Sequence, residues 1–193
     1  AVRNWRSVSL SSTGQYQTAT IFSGNIWTSS DYGINWTERS TGTTRDWRVV
    51  SLSSTGQYQT AAVANGNIWT SYDFGVTWTS RATSLSWQSV SISSTGQYQT
   101  AVVSSSGSIY TSTNYGATWV QRSTATTTKA FTRIRSSASG QYQLATAGPV
   151  ANANGQFYVS SDYGQTWIPR RGLGSWLGGT VSATGAVMMT MLT

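Results

Sequence analysis

Cysteine and histidine are both absent from this chain of 193 residues. Their absence removes disulfides, thiolate nucleophiles, imidazole bases and the usual zinc ligands together. Charge is scarce too, at 9% of residues against about 25% in an ordinary soluble domain, so solubility rests on Ser, Thr, Asn and Gln. Acids are scarcest of all: only Asp31, Glu38, Asp46, Asp73 and Asp162 stand against eleven Arg and Lys129, for a net charge of +7. No apolar run approaches the ~20 residues of a membrane-spanning helix, and no charged-then-apolar leader is recognisable from Ala1 onward. The sequence shows no phosphate-cradling Gly loop and no metal-ligand cluster, so neither cofactor nor metal is expected. A basic balance attracts nucleic acid or anionic surfaces. Dispersed surface arginine is the plainer account, and nucleic acid is not the expected partner.

What the chain has is aromatic residues and repetition. Ten Trp and ten Tyr in so polar a sequence favour strands. The phrase SSTGQYQTA begins at Ser11, Ser53 and Ser93, with a looser copy, SASGQYQLA, at Ser137. Aligned on the aromatic that precedes each phrase (Trp5, Trp47, Trp87, Phe131 and Trp176), the units are spaced by 42, 40, 44 and 45 residues. A period near 40 without helical patterning points to four-stranded propeller blades. The first unit reads as four strands, WRSVSLSS, QYQTATIF, NIWTSS and INWTERS, joined by Gly-bearing turns into an antiparallel meander.

The expected fold is therefore all-β: a β-propeller of four full blades, approximately 3–42, 43–83, 84–124 and 125–171, plus a half fifth blade at 172–193. The fourth unit carries a longer insertion at Gly148–Gly155. The fifth supplies only strands one and two, which leaves blade edges in need of partners. Imperfect closure, completion by another chain and continuation of the polypeptide all remain open. The SSTGQYQTA phrase, inside the blade, is expected to be scaffold rather than a ligand reader.

The third turn of each unit carries a recognisable pattern. SSDYGINW (29–36), SYDFGVTW (71–78), STNYGATW (112–119) and SSDYGQTW (160–167) resemble the Asp-box, or BNR, repeat of sialidase-type propellers, Ser/Thr-x-Asp-x-Gly-x-Thr-Trp. Two positions depart from it, Asn35 for Thr and Asn114 for Asp. The resemblance implies a structural box between strands three and four, built from Asp31, Gly33 and Trp36, Asp73, Gly75 and Trp78, Asn114, Gly116 and Trp119, and Asp162, Gly164 and Trp167. It also implies that these acids lie away from any substrate face. An Asp or Asn accepting turn amides, a Gly with positive φ and a covering Trp explain the box by folding alone.

Sialidases carry such boxes, so hydrolysis has to be weighed. Glycoside hydrolysis ordinarily uses two carboxylates. With three acids in boxes, Glu38 and Asp46 remain, without a surrounding constellation. The chain is expected not to be an enzyme, and a degenerate glycoside hydrolase ranks last among the alternatives.

Binding is expected on the face formed by the strand 4→1 and 2→3 connections, where the units vary most. Two sets of residues are candidates there. One is the strand-opening aromatics Trp5, Trp47, Trp87, Phe131 and Trp176, either stacking on sugars or packing between blades. The other is Arg39, Arg81, Arg122 and Arg170, each three residues after a box Trp, as anion contacts or as stems lying along aromatic surface. The leading expectation is a carbohydrate-binding recognition module. The alternative is a self-assembling structural subunit, such as a filament or virion-surface protein, docking through its incomplete fifth blade. Both imply an extracellular, cell-surface or virion-surface setting.

Overall fold

The structure, a computed structural model, describes residues 3–104, 107–122, 130–148, 156–171, 176–182, 184 and 188–192. Among them every regular element is a strand. Blade one comprises β1 (Trp5–Leu10), β2 (Gln17–Ile21), β3 (Ile26–Ser29) and β4 (Thr37–Arg39), and blade two comprises β5 (Trp47–Leu52), β6 (Gln59–Val63), β7 (Ile68–Ser71) and β8 (Thr79–Ser80). Blade three holds β9 (Trp87–Ile92), β10 (Gln99–Val103), β11 (Ile109–Ser112) and β12 (Val120–Arg122). Blade four holds β13 (Phe131–Ser136), β14 (Gln143–Ala147), β15 (Gln156–Ser160) and β16 (Ile168–Arg171). Each is an antiparallel four-stranded sheet in sequence order, and β17 (Trp176–Val181) pairs with β18 (Met188–Leu192) as a two-stranded fifth unit. The expected propeller of four full blades and a half blade is what the chain forms. The insertion at 149–155, the run 123–129 and the connection 172–175 lie outside the described residues.

Strands β1, β5, β9, β13 and β17 neighbour one another in that order along the inner edge. The core lies between blades, because each sheet is apolar on both faces. Ile26 of blade one packs with Trp47, Val50 and Ala61 of blade two. Ile68 of blade two packs with Trp87, Val90 and Ala101 of blade three, and Ile109 with Phe131, Ile134 and Ala145 of blade four. Each blade thus has a leading face, met by the blade before it, and a trailing face that covers the blade after it. Fully burying one such side chain is worth about 1.5–3 kcal/mol.

The repeated phrase is the polar half of the same interface. Its first Ser takes the amide of its own Tyr on Oγ, as in Tyr58 N to Ser53 at 3.1 Å. Its second Ser donates across the boundary, Ser12 N to Ser54 O at 2.8 Å and Ser54 N to Ser94 O at 2.9 Å. Its Tyr stacks on the box aromatic of the next blade, with centroids 4.4 Å apart for Tyr16–Phe74 and Tyr58–Tyr115 and 4.3 Å for Tyr98–Tyr163. The same Tyr lies so close to the next Thr-Gly turn that a Cβ on Gly56 would stand 2.6 Å from Tyr16 Cβ. The glycine is needed both for that approach and for its φ of 81°. The closing Gln and Thr make a buried chain: Thr18 Oγ1 donates to Gln59 Oε1 at 2.7 Å, Thr60 to Gln99 at 2.6 Å and Thr100 to Gln143 at 2.7 Å.

Candidate functional site

The box turns are built as their residues require. Asp73 Oδ1 accepts from the Thr77 amide at 2.9 Å and the Ser71 hydroxyl at 2.8 Å, and Oδ2 accepts from Thr77 Oγ1 at 2.6 Å. Asp31 repeats this with Asn35, whose Nδ2 replaces the threonine hydroxyl as donor at 2.7 Å. At Asn114 the last bond reverses, Nδ2 donating to Thr118 Oγ1 at 2.9 Å. These bonds govern the acids. The backbone and side chain of Asn35, then Ser29, hold Asp31 below the usual carboxylate value. At Asp73 and Asp162 burial pushes upward but is outweighed by the Thr77 or Thr166 hydroxyl and amide and the Ser71 or Ser160 hydroxyl, so both end lowered. The Trp36, Trp78, Trp119 and Trp167 indoles each donate to the carbonyl of their own box glycine, Gly33, Gly75, Gly116 and Gly164. The aromatics Tyr32, Phe74, Tyr115 and Tyr163 adopt φ near 61–62°, a left-handed conformation uncommon outside glycine. In the three boxes that have a preceding blade, that conformation lays the ring against its tyrosine. A carboxylate committed to its own turn is not available for acid–base work.

Of the two readings of the strand-opening aromatics, burial excludes sugar stacking at three of them and agrees with packing between blades. Trp47, Trp87 and Phe131 are 0%, 1% and 0% exposed, enclosed by the trailing face of the preceding blade, so no ligand reaches them. Trp5 is 51% exposed, no blade among the described residues being seated on that face. The Trp176 side chain lies outside the described residues. The arginine set does not form the ring of anion contacts that was one of its two readings. Arg39, Arg81 and Arg122 turn back along strand three, each Nε donating to a threonine, Thr28 at 2.9 Å, Thr70 at 3.1 Å and Thr111 at 2.7 Å. Those threonines pack on the box glycine of the next blade, so the arginines lie in separate grooves between blades and form no ring. Val159 stands where Thr28 does, and Arg170 is exposed. Glu38 and Asp46 accept from Asn25 Nδ2 at 3.0 Å and Ser23 Oγ at 2.7 Å.

The arrangement that sequence reasoning missed is central. The register of each inner pair slips just after the opening aromatic, between Trp5 and Ser7, Trp47 and Val49, and Phe131 and Arg133, with the matching slip opposite Trp87. The bulge leaves Arg6, Arg48, Gln88 and Thr132 unpaired, and bulges re-aim side chains in this way. These four residues, with Arg133 and Arg135 of β13, line a central cavity of about 620 Å³. None of its described lining residues is an acid. Arg48 Nε donates to Gln88 Oε1 at 2.8 Å, and Arg135 Nη1 donates to the Ile134 carbonyl at 3.0 Å. Desolvation and the like charge of Arg133 lower the Arg135 guanidinium below its ordinary value. The readable signal was the register common to the units: Arg6, Arg48 and Gln88 each follow the strand-opening Trp. Two further arginines stack on strand-three tryptophans, Arg3 4.2 Å from the Trp27 ring and Arg45 4.5 Å from that of Trp69.

Among the described residues no helix is long and apolar enough to cross a membrane. The BNR-Asp box repeat is matched at residues 26–39. No curated protein matches the sequence. Among solved structures, YCF48 bound to D1 peptide is similar at 14% identity and a TM-score of 0.67, covering 95% of this chain and 58% of that one. The xyloglucanase of Xanthomonas campestris is similar at 13% identity and a TM-score of 0.69, covering 92% and 33%. A chain of the nidogen–laminin complex is similar at 11% identity and a TM-score of 0.69, covering 97% and 72%. The chain spans less than two thirds of the YCF48 and xyloglucanase chains. Blades and neighbours agree on the fold: this chain is a β-propeller, and a BNR-Asp box repeat is matched within its first blade.

Proposed function

We propose that the chain is a non-enzymatic recognition module whose central cavity takes the acidic group of a glycan, a carboxylate or a sulfate. One observation carries the reading: Arg6, Arg48, Arg133 and Arg135 line one cavity with no acid among its described lining residues. A concave, partly desolvated site strengthens the attraction of cations for an anion, and guanidinium forks match carboxylate and sulfate geometry. Burial first, and the neighbouring Arg133 second, lower the Arg135 guanidinium, so an anion seated there would relieve both costs. Gln88 and the serines beside it supply neutral partners for sugar hydroxyls. The same lining argues against hydrolysis, because a two-carboxylate mechanism has no acid there to use. The proteins of similar fold differ in what their names report, a peptide, xyloglucan and laminin, so the reading rests on the cavity.

The test is binding of the full chain to uronate-containing, sulfated and neutral oligosaccharides at two salt concentrations. Acidic glycans are expected to bind, to weaken as salt rises, and to weaken about tenfold or more in Arg48→Ala or Arg133→Ala, the loss of a charge-assisted bond being worth about 1.5–3 kcal/mol. Failure of every acidic glycan to bind overturns the reading. Loss of binding in Arg39→Ala with Arg48→Ala unaffected moves the site to the grooves between blades.

A further inference from the structure

The leading face of blade one is open, and the three internal boundaries state what such a face receives. Val8 is 61% exposed and Leu10 53%, where their counterparts Val50 and Leu52 are 4% and 8%. Val8 joins Trp5, Trp27, Trp36 and Ala19 in a largely apolar groove. The polar fittings of an internal boundary are also present and unused. A Cβ built on Gly14 meets nothing within 4 Å, whereas Gly56, Gly96 and Gly140 each meet the tyrosine of the preceding blade at 2.6–2.8 Å. The nearest atoms to a Cβ on Gly33 belong to its own Gln17, whereas Gly75, Gly116 and Gly164 each meet a threonine methyl of the preceding blade at 2.7 Å. Gln17 Nε2 caps the Gly14 carbonyl at 3.0 Å as its counterparts do. Its Oε1, though, stands where Gln59, Gln99 and Gln143 each take a threonine hydroxyl from the blade before. Tyr32, the counterpart of the stacked Phe74, is 62% exposed.

We infer that this face is a docking surface for one further Asp-box blade that carries the Gln-Tyr-Gln-Thr phrase on its trailing face. Apolar complementarity alone would admit any β-sheet, but the Tyr seat on Gly14 and the acceptor at Gln17 ask for a tyrosine and, two residues later, a threonine. The chain's own fifth unit reads Ala186-Val187-Met188-Met189 at those positions, so it does not match the surface, whether from the same copy or from a second one. The groove adjoins the central cavity through Arg6, Ser7 and Val8, but its test reads protection of β1 and Trp5 rather than glycan binding, so failure of one inference is distinguishable from failure of the other.

The experiment extends the full chain with a second copy of residues 43–83 placed ahead of Ala1. Readouts are amide exchange across β1, oxidation of Trp5 by N-bromosuccinimide mapped by peptide mass, and the thermal midpoint. The extension is expected to slow exchange and Trp5 oxidation by about tenfold or more, as burial within a cooperative unit does, and to raise the midpoint. The same extension with Val for Tyr and Met for Thr in its added phrase, as in unit five, is expected to lose most of that protection. Gln17→Met, which leaves the added blade untouched, is expected to cost more in the extended chain than in the original. Equal protection by both extensions, no protection by either, or an equal cost of Gln17→Met in both backgrounds overturns the inference. So does a dimer of the unextended chain in which Trp5 is already protected, since the occupant is then a second copy.

Discussion

Asp73 and Asn114 occupy the same place in successive boxes and keep the same first acceptor, Oδ1 from the amide four residues on, at 2.9 and 3.0 Å. They differ in charge, and so in response to acid. A carboxylate whose folded value is lowered stabilises the protein fully above its unfolded value of about 3.9, and that contribution is lost as pH falls through the lowered folded value. Asp31, Asp73 and Asp162 all lie on that side, so the chain is expected to weaken below about pH 4. Asp73→Asn is expected to keep neutral-pH stability within about 1 kcal/mol, the scale of one exchanged hydrogen bond, and to lose less stability on acidification. Urea unfolding at pH 7 and pH 3 measures both. A steeper acid loss in Asp73→Asn than in the parent chain would refute the assignment.

At the scale of elements, the boundaries between blades are a buried polar chain laid over an apolar one. Thr60→Val leaves Gln99 Oε1, on a side chain 1% exposed, without its donor, at a cost of about 1–3 kcal/mol. Adding Gln99→Met removes the acceptor as well, and the pair is expected to be less destabilising than the sum of the single changes, with a coupling of about 0.5–3 kcal/mol. The chain contains a natural counterpart: Leu144 and Met188 stand at the fourth-to-fifth boundary where the others have Thr and Gln. Denaturant unfolding of the four species closes the cycle, and strict additivity would remove the Thr–Gln pair as the coupling element.

For the whole molecule, identical sequence positions acquire different energies from their place in the row of blades. Trp47 is enclosed and donates to the Gly24 carbonyl of blade one at 3.1 Å, whereas Trp5 is half exposed and its ring partners are Trp27 and Trp36 of its own blade, at 6.3 and 6.4 Å. Trp47→Ala is expected to cost about 3–5 kcal/mol, and Trp5→Ala about 1 kcal/mol or less, as befits a half-exposed site. Comparable losses, read by denaturant midpoint, would mean that blade one is covered in solution. The basic charge follows the same logic of position: arginines scattered along the sequence at 6, 48, 133 and 135 meet only because inner strands of separate blades converge on one axis.

The blades, their boxes and the half fifth unit were legible in the sequence because each depends on local chemistry: period-2 strands, Gly turns, and an Asp or Asn four residues from its donor. The SSTGQYQT phrase was legible as scaffold but not as a two-sided connector, since its Ser, Tyr and Thr act on residues about 40 positions away. Direction along the row was also hidden. Periodicity assigns Trp5, Trp47 and Trp87 one role, and only the stacking of blades decides that two are core and one is surface. The central cavity was invisible for a related reason: a bulge turns Arg6 and Arg48 toward the axis, and bulges and convergence are properties of paired strands rather than of the letters within one.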